Sequence, residues 1–64
     1  MSRDRFVVIA EVRIRPGQRD AFLKLARQHA DNCRRLEPAC RQFDVTLPEG
    51  DPDAVLFYEV YDSA

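Results

Sequence analysis

The chain has 64 residues, with ten basic side chains against eleven acidic ones and a formal net charge of -1. A domain of this size buries only about 60% of the surface that its unfolded chain exposes, so self-association is expected to support its core. The balanced charge provides no basic surface, so neither nucleic acid nor a membrane is expected as a partner. No apolar run approaches the roughly 20 residues that cross a bilayer, and no secretory signal precedes the domain, so a cytoplasmic protein is expected.

The two cysteines, Cys33 and Cys40, fit neither a disulfide scaffold nor a metal site. Their spacing matches no Cys-x-x-Cys pair, and no histidine lies at a distance typical of zinc ligands. We therefore predict two free thiols, no metal and no cofactor. Cys33 is expected to be a small core residue, because apolar surroundings raise the pKa of a thiol and make it a poor nucleophile.

The first half of the chain predicts a strand followed by a helix. The segment from Arg5 to Arg15 is rich in Val and Ile and alternates along both faces, which is typical of a strand with both faces partly covered. Pro16 and Gly17 then interrupt it. From Gln18 to Leu36 the helical period aligns an apolar stripe. The stripe contains Phe22, Leu25, Ala26, His29, Cys33 and Leu36.

The second half predicts a strand hairpin. Pro38 ends the helix, since proline restricts the residue before it and has no amide hydrogen. Alternating apolar residues predict a strand over 41–47, turn formers occupy 48–53, and a further strand runs from Ala54 to Tyr61. We expect a split βαβ unit in which the first and third strands are parallel neighbours. The chain is predicted to form one domain over residues 1–64.

His29 is the only histidine and lies within the apolar stripe. Imidazole suits proton transfer near neutral pH, and Asn32, one turn further on, offers an amide donor for a developing oxyanion. A core histidine and a locally bonded asparagine are the simpler alternatives. We expect His29 to face a cavity between helix and sheet, within reach of Asn32 or of a bridging water.

The third strand carries Tyr58 and Tyr61 on opposite faces. Tyr58 is predicted to face the helix, and Tyr61 is predicted to share the other face with Phe57 and Glu59. An interface between chains is expected on that second face, which would also carry Val7 and Ile9. Glu59 would there approach Glu11 of the first strand, either as a carboxylate pair or, with more support, within an ion pair at the interface.

Three segments together resemble the antibiotic biosynthesis monooxygenase family of small dimeric α+β barrels. They are VIAEVRIRPG at the start, the EPxCxxFDV pattern after the helix and LFYEVYD in the last strand. The resemblance covers nearly the whole chain and implies a ferredoxin-like protomer whose sheet packs against a partner's sheet. It also implies a ligand cavity between sheet and helices.

Two features differ from the family pattern. Ala39 stands where relatives usually have glycine, which would strain a left-handed backbone there. The chain also ends where a second helix would begin, so we expect an α+β, ferredoxin-like β-α-β-β unit that lacks the final helix and strand.

The resemblance implies a cofactor-independent monooxygenase acting on a phenolic or hydroquinone-like molecule. His29 and Asn32 would be the catalytic residues. Phe22, Leu25, Phe43 and Tyr58 would bind a small aromatic or carbonyl substrate in a homodimer or a larger homo-oligomer. An isomerase of a phosphorylated signal sugar and a non-catalytic ligand-binding or oligomerisation module are the alternatives.

Overall fold

A computed structural model describes residues 4–62. The elements in this range are β1 (Arg5–Arg13), α1 (Arg19–Leu36), β2 (Cys40–Thr46) and β3 (Ala54–Asp62). The predicted order of strand, helix and hairpin is confirmed, as is the α+β class with ferredoxin-like β-α-β-β topology. The start of a second helix, expected around Ser63, lies outside the described residues.

The three strands form one antiparallel sheet in the order β1-β3-β2. Phe6 of β1 is opposite Tyr61 of β3, and Ile9 is opposite Tyr58. The prediction of parallel first and third strands is therefore wrong. The crossover helix makes β2 run in the same direction as β1, and the hairpin turn then reverses β3, which inserts between them and is antiparallel to both.

Local sequence explains both ends of α1. Gly17 adopts a φ of 81° in the turn that precedes the helix, a conformation that costs glycine little. At the other end the amide of Glu37 donates to the carbonyl of Cys33 at 2.9 Å, and Pro38 follows. Among the described residues no non-glycine residue has a positive φ, so Ala39 fits its turn without left-handed strain.

The helix packs chiefly on β2 through small side chains. Ala26 and Ala30 are 5% and 2% exposed, whereas Leu25 is 69% exposed. Small residues let the helix approach the sheet closely, so they lie at the centre of the contact and the larger stripe residues lie on its flank. The predicted stripe is therefore offset: of the three buried helix residues it contained Ala26 but neither Leu23 nor Ala30.

Beneath the helix, the buried cluster consists of Ala30, Cys40 and Phe43. A β-bulge lies between Cys40 and Gln42. It turns both Cys40 and Phe43 towards the helix, although residues three positions apart on a regular strand point to opposite faces. Arg34 also ties the helix to β2, because its Nη1 donates to the carbonyl of Phe43 at 2.6 Å.

The two faces of β3 are the reverse of those predicted. The ring of Phe57 stacks on that of Phe22 in the helix, with 6.2 Å between centroids. Because successive strand residues point to opposite faces, Phe57, Glu59 and Tyr61 share the helix-facing side and Tyr58 lies on the other. The predicted orientation of Tyr58 towards the helix is wrong.

The same reversal changes the predicted interface. Phe6 stacks on Tyr61 at 5.5 Å, which places Phe6 on the helix-facing side of β1. Val7 and Ile9 therefore lie on the opposite side, where Val60 and Tyr58 are their partners in register. We call this second side the outer face; Phe57 and Tyr61 do not belong to it. Strand alternation determines which residues share a face, but it does not determine which face packs against the helix. The prediction assigned the wrong face to the helix.

The β2–β3 loop is fastened to the rest of the chain through Asp51. Its carboxylate accepts from Arg13 at 2.5 Å and from the amide of Asp53 at 3.0 Å. Its carbonyl accepts from Arg19 at 3.3 Å. The loop thereby joins the end of β1 to the start of α1. Across residues 4–62, no helix is both long and apolar enough to span a bilayer.

Candidate functional site

His29 lies on the flank of α1 rather than beneath it. The side chain is exposed overall, which differs from the predicted buried position. The imidazole nevertheless packs against the buried cluster. Its centroid is 5.6 Å from that of the Phe43 ring, and the two rings are nearly perpendicular. This geometry leaves the ring partly accessible while its orientation is set by aromatic packing.

A recess of about 230 Å³ opens beside His29. We call it the aromatic recess, and its lining consists of Phe22, Leu25, Ala26, His29 and Phe57. His29 supplies its only ionisable side chain, and the rest is apolar. A flat apolar molecule with one polar group fits this lining, because the rings can stack on it while the imidazole meets the polar group.

Three of the predicted binding residues contact or approach this recess. Phe22 and Leu25 line it directly, and Phe43 supports it from the core, 5.5 Å from the ring of Phe57. Tyr58, the fourth, lies on the outer face. The sequence analysis missed Phe57, because the register that sets Val45 opposite Phe57 is fixed only in the folded sheet.

The recess continues towards the N-terminal end of α1. A wider groove of about 580 Å³ shares Phe22 and Leu25 with it and extends to Val12, Ile14 and Pro16; Arg13, Arg15 and Gln18 also line it. The helix-facing surface thus has a path longer than the recess itself, with both apolar and basic side chains in its lining. A ligand with more than one ring can be accommodated along it.

The predicted partnership of His29 and Asn32 does not form. His29 Nε2 lies 3.5 Å from the Sγ atom of Cys33, one turn along the helix. The Oδ1 atom of Asn32 instead accepts a hydrogen bond from Arg35 at 3.0 Å. Asn32 keeps its amide hydrogens available, but it lies further round the helix than His29, away from the sheet.

A second polar pair lies on the helix-facing side of β3. The hydroxyl of Tyr61 donates to Glu59 at 2.5 Å, and this bond, with burial and the nearby carboxylate charge, raises the pKa of Tyr61. Glu59 therefore does not meet Glu11, which lies on the outer face with Arg13 Nη1 at 3.7 Å. The predicted carboxylate pair or interface ion pair of Glu11 and Glu59 is wrong.

Burial raises the pKa of the Cys33 thiol, and the nearby Cys40 and Glu59 raise it further. Cys33 is half-buried and packs against the Ala30, Cys40 and Phe43 cluster. Both cysteines are free thiols, as predicted. No group of His, Cys, Asp or Glu side chains within residues 4–62 is arranged to hold a metal ion.

The split βαβ unit, with an aromatic recess beside its helix, is a small α+β domain of ferredoxin-like topology. The sequence model of the family described as antibiotic biosynthesis monooxygenase matches residues 5–64. The chain belongs to this family, whose members commonly form dimers. Neither the search of curated proteins nor the search of solved structures found a match.

Proposed function

We propose that this protein is a cofactor-independent monooxygenase for a phenolic or hydroquinone-like substrate. Family membership supports a monooxygenase or a related small-molecule-binding scaffold. The choice of substrate class is supported by the aromatic recess, whose lining is apolar except for the imidazole of His29. Such a lining can bind an apolar aromatic molecule and place one ring hydroxyl against the imidazole.

The chemistry begins with proton removal. His29 accepts the proton of the substrate hydroxyl, directly or through a water molecule, and the ring becomes an electron-rich anion. Such an anion reduces O₂ without a metal or flavin. For a hydroquinone the balanced outcome is a hydroxyquinone and water: one oxygen atom enters the ring and the other leaves as water. Asn32 has no part in this step, because it accepts a hydrogen bond from Arg35 and lies outside the recess lining.

The lining favours this substrate class over a phosphorylated sugar. Phosphate groups are bound by arginine, lysine or backbone amides, and the aromatic recess has no arginine or lysine; Arg13 and Arg15 line only the wider groove. The half-buried rings of Phe22 and Phe57 instead match an aromatic substrate, since offset stacking adds to the burial of apolar surface. Phe22, Leu25 and Phe57 would hold the ring system, with Phe43 behind them.

Self-association through the outer face is part of the proposal. Ile9 is 62% exposed, Val7 is 48% exposed and Tyr58 is 36% exposed in the single chain. Covering them against a second sheet would contribute roughly 25 cal/mol per Å² of apolar surface. Dimers of this kind leave the helix side, and with it the recess, open to ligand.

Oxygen consumption tests the function. Wild-type protein is incubated with 1,4-dihydroxynaphthalene, and oxygen uptake is followed above the background of spontaneous oxidation. His29→Gln should lower turnover by about 10²- to 10⁴-fold, because the base is lost while ring packing is largely kept. Arg27→Gln is the matched control, since Arg27 is an exposed helix residue outside the recess. Saturable binding of the naphthalene with no uptake above background would show a binding module instead.

A further inference from the structure

We propose that Cys33 and His29 form a covalent acceptor site for quinones and related α,β-unsaturated carbonyl compounds. The proposal relies on the proposed function only for the source of the electrophile, because a hydroquinone oxidase releases quinones beside this pair. The geometry that carries it is a thiol and an imidazole in contact along one face of α1. Nothing in the proposed oxygenation uses the thiol.

The spacing makes the pair a nucleophile with its own base. His29 and Cys33 are four residues apart, which brings their side chains together on a helix. Nε2 lies 3.5 Å from Sγ, within reach for proton transfer to the imidazole. A base is needed here, since burial raises the pKa of the Cys33 thiol and keeps it protonated at neutral pH.

The aromatic recess provides a binding position for an electrophile near the Cys33 thiol. The same imidazole that contacts Cys33 also lines the aromatic recess, so a flat ring bound there lies next to the pair. Cys33 is half-buried, which leaves part of the side chain accessible, whereas Cys40 is 7% exposed within the core. The two thiols should therefore differ strongly in reactivity, although both are unoxidised.

The chemical step is balanced without an external oxidant or reductant. Sγ forms a bond to one carbon of the quinone C=C double bond. The π electrons of that double bond shift towards the conjugated carbonyl group, whose own π electrons move to oxygen. The thiol proton passes to His29 and then to that oxygen. Loss of the ring hydrogen and its transfer to the second oxygen gives a hydroquinone thioether. The quinone ring is thereby reduced by two electrons, which the lone pair of Sγ supplies as the carbon–sulfur bond forms.

The test uses 1,4-naphthoquinone as the probe and the folded wild-type protein. Intact mass should show one adduct, and peptide mapping should place it on Cys33. His29→Gln should lower the rate of adduct formation by about 10²-fold, the usual contribution of a general base. Cys40→Ser is the matched control and should react at the wild-type rate. Mapping on the wild-type chain gives the answer even if a cysteine variant fails to fold.

Two results would overturn the proposal: an adduct mainly on Cys40, or a His29→Gln variant that reacts as fast as wild type. Oxygen uptake with 1,4-dihydroxynaphthalene, measured on the same protein preparations, separates this proposal from the proposed function. Adduct formation without uptake refutes the oxygenase alone. Uptake with no adduct on Cys33 refutes the acceptor site alone.

Discussion

The hydroxyl of Tyr61 donates to the carboxylate of Glu59 at 2.5 Å, on the side of the sheet that faces the helix. The two residues are separated by one position on β3, so they point the same way and can bond along the strand. This bond exists only while the phenol keeps its proton. It places a charged group beside the apolar contact between Phe6 and Tyr61.

The Tyr61–Glu59 bond predicts a loss of stability in alkali. The pKa of Tyr61 is raised in the folded protein, chiefly by the bond to Glu59. Its contribution is therefore fully present below the pKa of an unfolded tyrosine, about 10, and is lost as the pH rises towards the folded value. Thermal unfolding from pH 8 upwards should show a steeper fall for wild type than for Tyr61→Phe. Parallel curves would contradict this.

The bond between Asp51 and Arg13 predicts the opposite behaviour in acid. Arg13 and the Asp53 amide lower the pKa of the Asp51 carboxyl. The contribution of Asp51 is present above the unfolded pKa of about 3.9 and is lost as the pH falls through the lower folded value. Asp51→Asn should lower the melting temperature at pH 7, and the gap from wild type should close near pH 2. Asp20→Asn is the control, because Asp20 is exposed and has no side-chain partner among the described residues. A gap that persists unchanged in acid would exclude this linkage.

Core and recess residues should respond differently to truncation. Phe43 is 3% exposed, so Phe43→Ala should lower the free energy of unfolding by about 3–5 kcal/mol. Leu25 is 69% exposed, and Leu25→Ala should change it by only about 0.5 kcal/mol while weakening binding of an aromatic ligand. Denaturant unfolding and ligand titration check the two effects. An unaltered ligand affinity in Leu25→Ala would remove this residue from the site.

A charge on the outer face should dissociate the proposed dimer. Ile9→Lys places an ammonium group at the centre of the proposed contact, where it would have to be buried. Light scattering at micromolar concentration should show a dimer for wild type and a monomer for this variant. Leu36→Lys is the matched control: Leu36 is 72% exposed but lies on α1, so its variant should remain dimeric. A wild-type monomer would refute association through this face.

How much the sequence could predict is clearest at β3. Alternation correctly separated Tyr58 from Phe57 and Tyr61, because strand geometry fixes that separation locally. It could not decide which set meets the helix, since both sets contain aromatic residues. The answer depends on the register with Phe43 of β2, which in turn depends on the bulge beside Cys40.

For the candidate site, too, the sequence predicts local features of the helix but not how the helix packs. Its limits and the apolar residues around His29 follow from helical periodicity and from Gly17 and Pro38 in the sequence. The angle at which the helix lies on the sheet does not. Close approach at Ala26 and Ala30 rotates His29 onto the flank, beside Cys33 and the recess and away from Asn32.

The sequence by itself therefore determined the element order, the α+β class, the family and three of the residues that line the recess, Phe22, Leu25 and His29. These follow from local periodicity, turn chemistry and short sequence patterns, which act within a few residues of one another. Only the tertiary structure decided the antiparallel pairing of β1 with β3, the face that carries Tyr58 and the pairing of His29 with Cys33 rather than Asn32. These depend on how distant segments pack, and the packing of small alanines against a bulged strand is not encoded in any one segment.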